Sequence, residues 1–211
     1  MEFLIGKVSS LKNHPVSDII SSRISEFESF RNPNISLESL FKELCFCLLT
    51  ANYTAIGGLR IQEALGDKFL TLNVDELRSE LKSLGHRFWP QRAEWIVLAR
   101  KHLPVLKEVL SNLVGLELRQ WFVNNVKGLG MKEASHFLRN VGFTDFAIVD
   151  FHIIDILSEY GVIDRVEKGK FTSKKYLEIE GSLRTLSNRL KLSLSELDLY
   201  LWFMETGKVL K

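Results

Sequence analysis

The sequence predicts an all-α protein. Apolar residues recur at spacings of three and four almost throughout, only four prolines interrupt them, and alternating β-branched runs are scarce. With 211 residues, of which 45% are apolar and 26% charged, the composition is ordinary for a globular chain and long enough for one large or two small packed domains. No repeat or long linker is visible, so a single unit over residues 1–211, built of two packed helical lobes, is expected. No apolar stretch is long enough to span a bilayer, and the N-terminal residues lack a signal peptide's apolar core, so no membrane association is expected. Cys45 and Cys47, two residues apart in an apolar run, offer neither a disulfide framework nor a zinc site. A cytoplasmic chain without metal or cofactor is the expectation. A net charge of +2 does not by itself point to nucleic acid, so any such case must rest on local clustering.

Taken in order, Pro15 suits a first helical position, opening a helix through Ile19, Ile20, Ile24, Phe27 and Phe30. Ser36 is a plausible N-cap for a helix that is almost wholly apolar from Leu44 to Leu49, as a central buried helix would be. Asn73 with Glu76 has capping-box spacing for a helix to Leu84, which Gly85 ends. Pro90 starts another through Ala99. Helices are then expected over Val105–Val114, Leu116–Asn125, Met131–Val141, Phe151–Tyr160, Lys174–Leu190 and Leu194–Glu205, the last with Ser193 and Glu196 as its capping box.

The informative segment is Val126-Lys127-Gly128-Leu129-Gly130-Met131-Lys132-Glu133-Ala134. Two glycines one residue apart between helices make a tight turn that a Cβ would obstruct. The first amides of the following helix then lack intrahelical partners, and together with the positive helix end they form a ready phosphate site. This apolar-x-Gly-apolar-Gly-apolar pattern is the helix-hairpin-helix motif, here over residues 116–141, which grips DNA backbone without reading sequence. A turn that only packs two helices is the alternative. Lys127, Gly128 and Gly130 are the candidate backbone contacts. Lys132 lies in the first helical turn, where the dipole disfavours a cation. It is either a surface lysine or an amine held ready as a nucleophile. Asp150, which follows an apolar triplet and precedes a helix, reads as an ordinary N-cap or as a carboxylate facing that amine. A lysine and an aspartate so placed suit base excision: the carboxylate stabilises positive charge as the glycosidic bond breaks, and the amine captures C1′.

Residues 126–142 with Ile-Val-Asp-Phe-His (148–152) resemble the helix-hairpin-helix DNA glycosylase superfamily, and most closely its type 2, mainly archaeal, 8-oxoguanine DNA glycosylase/AP lyase branch. The blocks Glu43–Asn52, Leu197–Trp202 and Gly207–Lys211 support the same branch, and the likeness spans essentially the whole chain. It implies a fold of two helical subdomains with the active-site cleft between them, Lys132 and Asp150 as the catalytic pair, and a bifunctional reaction. Lysine attack on C1′ releases the oxidised base, and β-elimination then cleaves the strand 3′ to the abasic site. The implied partner is double-stranded DNA containing 8-oxoguanine, with a monomer expected. The iron–sulfur cluster of endonuclease III relatives needs four cysteines and is excluded by the two present. Phe151 stands where the branch commonly carries Arg, and His152 is expected to pack or hydrogen-bond near the site.

Excision requires the nucleotide to be flipped out of the stack. By resemblance, Phe88 and Trp202 flank the flipped base, each with a core aromatic role as the alternative. Asn52 would enter the vacated stack and meet the orphaned cytosine. The alternative for it is a helix-terminal amide capping its own backbone, and an amide at that place is expected to be buried. Asp198 is a candidate acceptor for the guanine edge or else one partner of a helix-surface ion pair. Lys211 is implied in discriminating 8-oxoguanine from guanine. Positive charge concentrates around Lys82, His86, Arg87, Arg92, Arg100, Lys101 and His102, and near the hairpin at Arg119, Lys127 and Arg139. Two other functions stay open on the residues alone: a glycosylase/AP lyase for another damaged base, or a non-catalytic hairpin module that only holds DNA.

Overall fold

The computed structural model describes residues 1–167 and 171–211, and in them all regular structure is helical. In chain order the helices are α1 (Glu2–Leu11), α2 (Val16–Ser29), α3 (Leu37–Thr50), α4 (Ala55–Leu65), α5 (Lys68–Thr71), α6 (Val74–Ser83) and α7 (Trp89–Ala99). They continue with α8 (Leu103–Asn112), α9 (Gly115–Asn125), α10 (Met131–Asn140), α11 (Phe151–Glu159), α12 (Ser173–Leu190) and α13 (Leu194–Thr206). The chain divides into two compact units, one of Met1–Arg31 with Leu138–Lys211 and one of Asn32–Phe137.

The unit of residues 32–137 is built on α3. Ser36 caps it by accepting the Ser39 N–H at 3.0 Å, and from Leu40 to Thr50 only Lys42 escapes burial. Both cysteines lie in this run with no exposure, and burial pushes the Cys45 thiol well above its ordinary pKa. Helices α4, α7 and α8 pack against α3. The sequence periodicity did not reveal α4, because two glycines in its first turn, Gly57 and Gly58, are poor helix formers. Packing requires Gly58: a Cβ there would stand 2.6 Å from Cγ2 of Thr50 on α3. Thr54 offsets part of the glycine cost by capping the helix at Gly57 N–H, 3.1 Å. The expected capping box of α6 is present, with Asn73 accepting from Glu76 N–H at 3.0 Å and Glu76 accepting from Asn73 N–H at 2.8 Å.

The unit of residues 1–31 and 138–211 is organised around α13, which packs against α1, α2, α11 and α12. Its capping box, Ser193 with Glu196, also forms as expected. Helix α1 was not anticipated, because only Leu4 and Val8 make its buried stripe. Contacts distant in sequence hold it. Arg189 forks onto Glu2 at 2.6 and 2.8 Å, and Lys12 donates to the Leu190 carbonyl at 2.9 Å. The latter satisfies one orphan acceptor at the end of α12.

Candidate functional site

The hairpin joins α9 to α10 through Val126–Gly130. Val126 and Leu129 are buried, whereas Lys127 and Gly130 are exposed. Gly128 is the residue that makes the turn possible. Its φ is +97°, and a Cβ would overlap the ring of Trp95, which lies beneath it. Gly130 differs from the expectation. Its φ is not in the left-handed region, and a Cβ there would meet only the flexible carboxylate of Glu133 at 3.3 Å. The first amide of α10 bonded back along the helix is that of Ala134, to Gly130 O at 2.9 Å. The three N–H groups before it are therefore offered outward by helix geometry.

Lys132 lies in this first turn and is half-buried. Within its own unit, among the described residues, its amine makes no ion pair or hydrogen bond. Arg119 was expected as a surface cation and is instead 1% exposed, donating to Ser135 Oγ at 3.2 Å, which in turn donates to Met131 O at 2.8 Å. The guanidinium thus ties α9 to the first turn of α10, and Phe122 packs on Phe137 with ring centroids 4.9 Å apart.

The same unit holds Asn52 and Phe88. Asn52 is exposed rather than buried, two residues past α3, with a left-handed φ of 57° that asparagine tolerates better than most side chains. Phe88 is the half-buried N-cap residue of α7. The basic cluster read from the surrounding sequence is largely bound to main-chain carbonyls. His86 and Arg92 are buried and donate to main-chain carbonyls of Leu49 and Ala51, Arg100 donates to those of Phe69 and Leu72, and His102 Nε2 lies 2.9 Å from Asn125 O. Helix termini present unpaired carbonyls, and cations satisfy them better than water does. Lys82, Arg87 and Lys101 are the exposed remainder of that cluster.

In the other unit, Asp150 caps α11, its Oδ1 accepting the Ile153 N–H at 3.0 Å. The extended segment before it is anchored by a residue the sequence reading missed. Tyr176, 2% exposed on α12, donates its hydroxyl to Ala147 O at 2.7 Å and accepts the Val149 N–H at 3.2 Å. A lone tyrosine on the buried stripe of a long helix carries no signal of that task, because its partners are main-chain atoms.

Asp198 and Trp202 lie one turn apart on α13. The Asp198 carboxylate meets Arg139 Nη1 at 2.8 Å, with side chains only 13% and 3% exposed, so the pair is buried and not the surface pair considered from sequence. Arg139 is likewise no surface cation. It also donates to Asn140 Oδ1 and covers the Phe27 ring at 4.8 Å. Trp202 is half-buried, and the exposed His152 meets it edge-on, ring centroids 5.3 Å apart, with Nδ1 3.6 Å from the Glu205 carboxylate. Phe151 is 60% exposed, its ring tilted against that of Phe171 with centroids 6.1 Å apart. Lys211 is half-buried.

A family model described as 8-oxoguanine DNA glycosylase matches residues 20–192. The chain is 53% identical to an "8-oxoguanine DNA glycosylase/AP lyase" of Methanocaldococcus jannaschii over 99% of each chain, and 52% identical to one of Korarchaeum cryptofilum over 99% of this chain and 98% of the other. Among solved structures, the M. jannaschii glycosylase/lyase in complex with a 15mer DNA containing 8-oxoguanine aligns with a TM-score of 0.94, at 53% identity, covering 99% of this chain and 100% of that one.

Proposed function

Since the chain belongs to the 8-oxoguanine DNA glycosylase family, we propose that Lys132 and Asp150 carry out a bifunctional excision of 8-oxoguanine from duplex DNA. The activity itself, DNA N-glycosylase with AP lyase, is that of relatives more than half identical over the full length. The observation that carries the residue assignment is Lys132 in the first turn after the glycine hairpin, half-buried and not committed to an ion pair within its unit.

The neutral ε-amine attacks C1′, forming an N–C bond as the C1′–N9 bond breaks, and the base leaves with the bonding pair and is protonated. Asp150 stabilises the positive charge that builds on the sugar. Opening of the ring gives a Schiff base, whose positive charge acidifies the C2′ proton. Loss of that proton expels the 3′ phosphate and cleaves the strand, and water then releases Lys132. Lys127 and the outward amides around Gly128 and Gly130 hold backbone phosphates. Phe88 and Trp202 flank the flipped base, Asn52 fills the gap beside the orphaned cytosine, and Asp198 with Lys211 reads the lesion edge. Oxidation turns N7 from acceptor to donor, so a misplaced lone pair rejects guanine. We assign the enzyme to the cytoplasm, acting as a monomer over residues 1–211. Among the described residues no helix is long and apolar enough to cross a membrane.

Borohydride reduction during turnover tests the assignment. The wild-type protein gives a covalent adduct with an 8-oxoguanine duplex, and Lys132→Gln gives none while still binding it. An adduct that persists in Lys132→Gln would place the nucleophile elsewhere. A parallel panel of other lesions measures how far the preference for 8-oxoguanine extends.

A further inference from the structure

Three basic side chains converge on the carbonyl end of α3. His86 Nε2 donates to Leu49 O at 2.9 Å, Arg92 Nη2 to Ala51 O at 2.6 Å, and Arg87 Nη2 to Asn52 O at 3.0 Å. The same three reach Phe88. The Nδ1 of His86 accepts the Phe88 N–H at 3.1 Å, so the partners assign the tautomer with hydrogen on Nε2. The guanidinium of Arg87 lies over the Phe88 ring at 4.5 Å and that of Arg92 at 5.4 Å. His86 and Arg92 are 1% and 4% exposed, which leaves them no access to a phosphate.

We propose that His86, Arg87 and Arg92 are positioning residues that lock the Asn52 turn and the Phe88 ring into one rigid wedge for opening the duplex. The inference rests on the gap-filling and base-flanking roles given above to Asn52 and Phe88. A side chain that takes the place of a flipped nucleotide must resist being pushed back by the closing stack. Asn52 gains that stiffness because three donors fix the Leu49, Ala51 and Asn52 carbonyls around its left-handed turn, and a strained conformation persists only where neighbours over-determine it. Arg87 is the exposed member, and one planar group both stacks on Phe88 and donates to Asn52. An ammonium cannot do both.

The discriminating measurement is single-turnover excision of 8-oxoguanine from one oligonucleotide, presented as a duplex opposite cytosine and as a single strand. Only the duplex leaves a gap to be filled. In Arg87→Ala the duplex-to-single-strand rate ratio is expected to fall roughly tenfold or more, the loss of a charge-assisted hydrogen bond. Arg87→Lys is expected not to restore it. An unchanged ratio, or full restoration by lysine, overturns the proposal, the latter by showing that Arg87 acts as a phosphate-binding charge. Asn52→Ala separates the two layers. If it lowers the ratio and Arg87→Ala does not, the clamp alone fails. If neither does, the gap-filling role fails and takes the clamp with it.

Discussion

Replacing Gly128 with alanine tests whether the hairpin owes its shape to one residue. Two costs act together. The φ of +97° lies outside what an L side chain adopts easily, worth about 1–2 kcal/mol, and the added methyl overlaps the Trp95 ring, an overpacking cost of about 1–3 kcal/mol. The combined penalty is about 2–5 kcal/mol, and for a chain of this length each kcal/mol moves the midpoint by roughly 2–4 °C. Thermal unfolding of Gly128→Ala should therefore fall by at least about 4 °C. Gly130→Ala is the internal control, because its backbone is unstrained and its Cβ would meet only the mobile Glu133 carboxylate. Binding of undamaged duplex, followed by fluorescence anisotropy across a salt series, should weaken in Gly128→Ala and change little in Gly130→Ala. Equal stability of the two variants would refute the reasoning, since it would mean that the Trp95 ring and the turn yield freely to a methyl group.

Tyr176→Phe removes the hydroxyl that bridges Ala147 O and Val149 N–H, leaving buried main-chain groups unpaired at a cost of about 1–3 kcal/mol. Its urea midpoint should drop, and the Val149 amide should exchange faster while the rest of α12 does not. His86 gives a pH dependence of known sign. Burial, with Arg92 and Arg87 beside it, holds its pKa below the ordinary 6.5, against the opposing hydrogen bond to Leu49. The folded state thus favours the neutral ring, so its contribution is complete above about 6.5 and is lost as pH falls through that value and then through the folded pKa. His86→Phe should lose less stability than wild type between about pH 7.5 and about pH 5, measured as urea midpoints. His102, whose pKa burial also lowers, is retained in the variant, so the difference between the two proteins isolates His86.

The elements that were legible in the sequence carry their own start signals. Ser36, Asn73 and Ser193 each cap the helix expected of them, and the apolar run from Leu44 to Leu49 is the buried axis of its unit. Helices α1 and α4 were missed because their stability comes from distant partners: Arg189 and Leu190 for α1, and the close face of α3 for α4. The hairpin was readable because glycine spacing encodes a backbone conformation directly. The basic residues were misread for the opposite reason. A positive charge in sequence does not reveal whether it faces solvent or a helix's last carbonyl, and His86, Arg92, Arg119 and Arg139 all turn inward. Tyr176 was invisible for the same cause, since its partners are main-chain atoms that every residue possesses.

The shielding of Cys45 and Cys47 within α3 has a practical corollary. Thiol-directed dyes react with the exposed thiolate, whereas both of these groups are inaccessible and burial pushes the Cys45 thiol well above its ordinary pKa. A single cysteine introduced on the surface, for example at Lys101, can therefore be labelled without first stripping the native pair. Single-molecule fluorescence can then follow the otherwise unaltered enzyme as it searches along a labelled duplex.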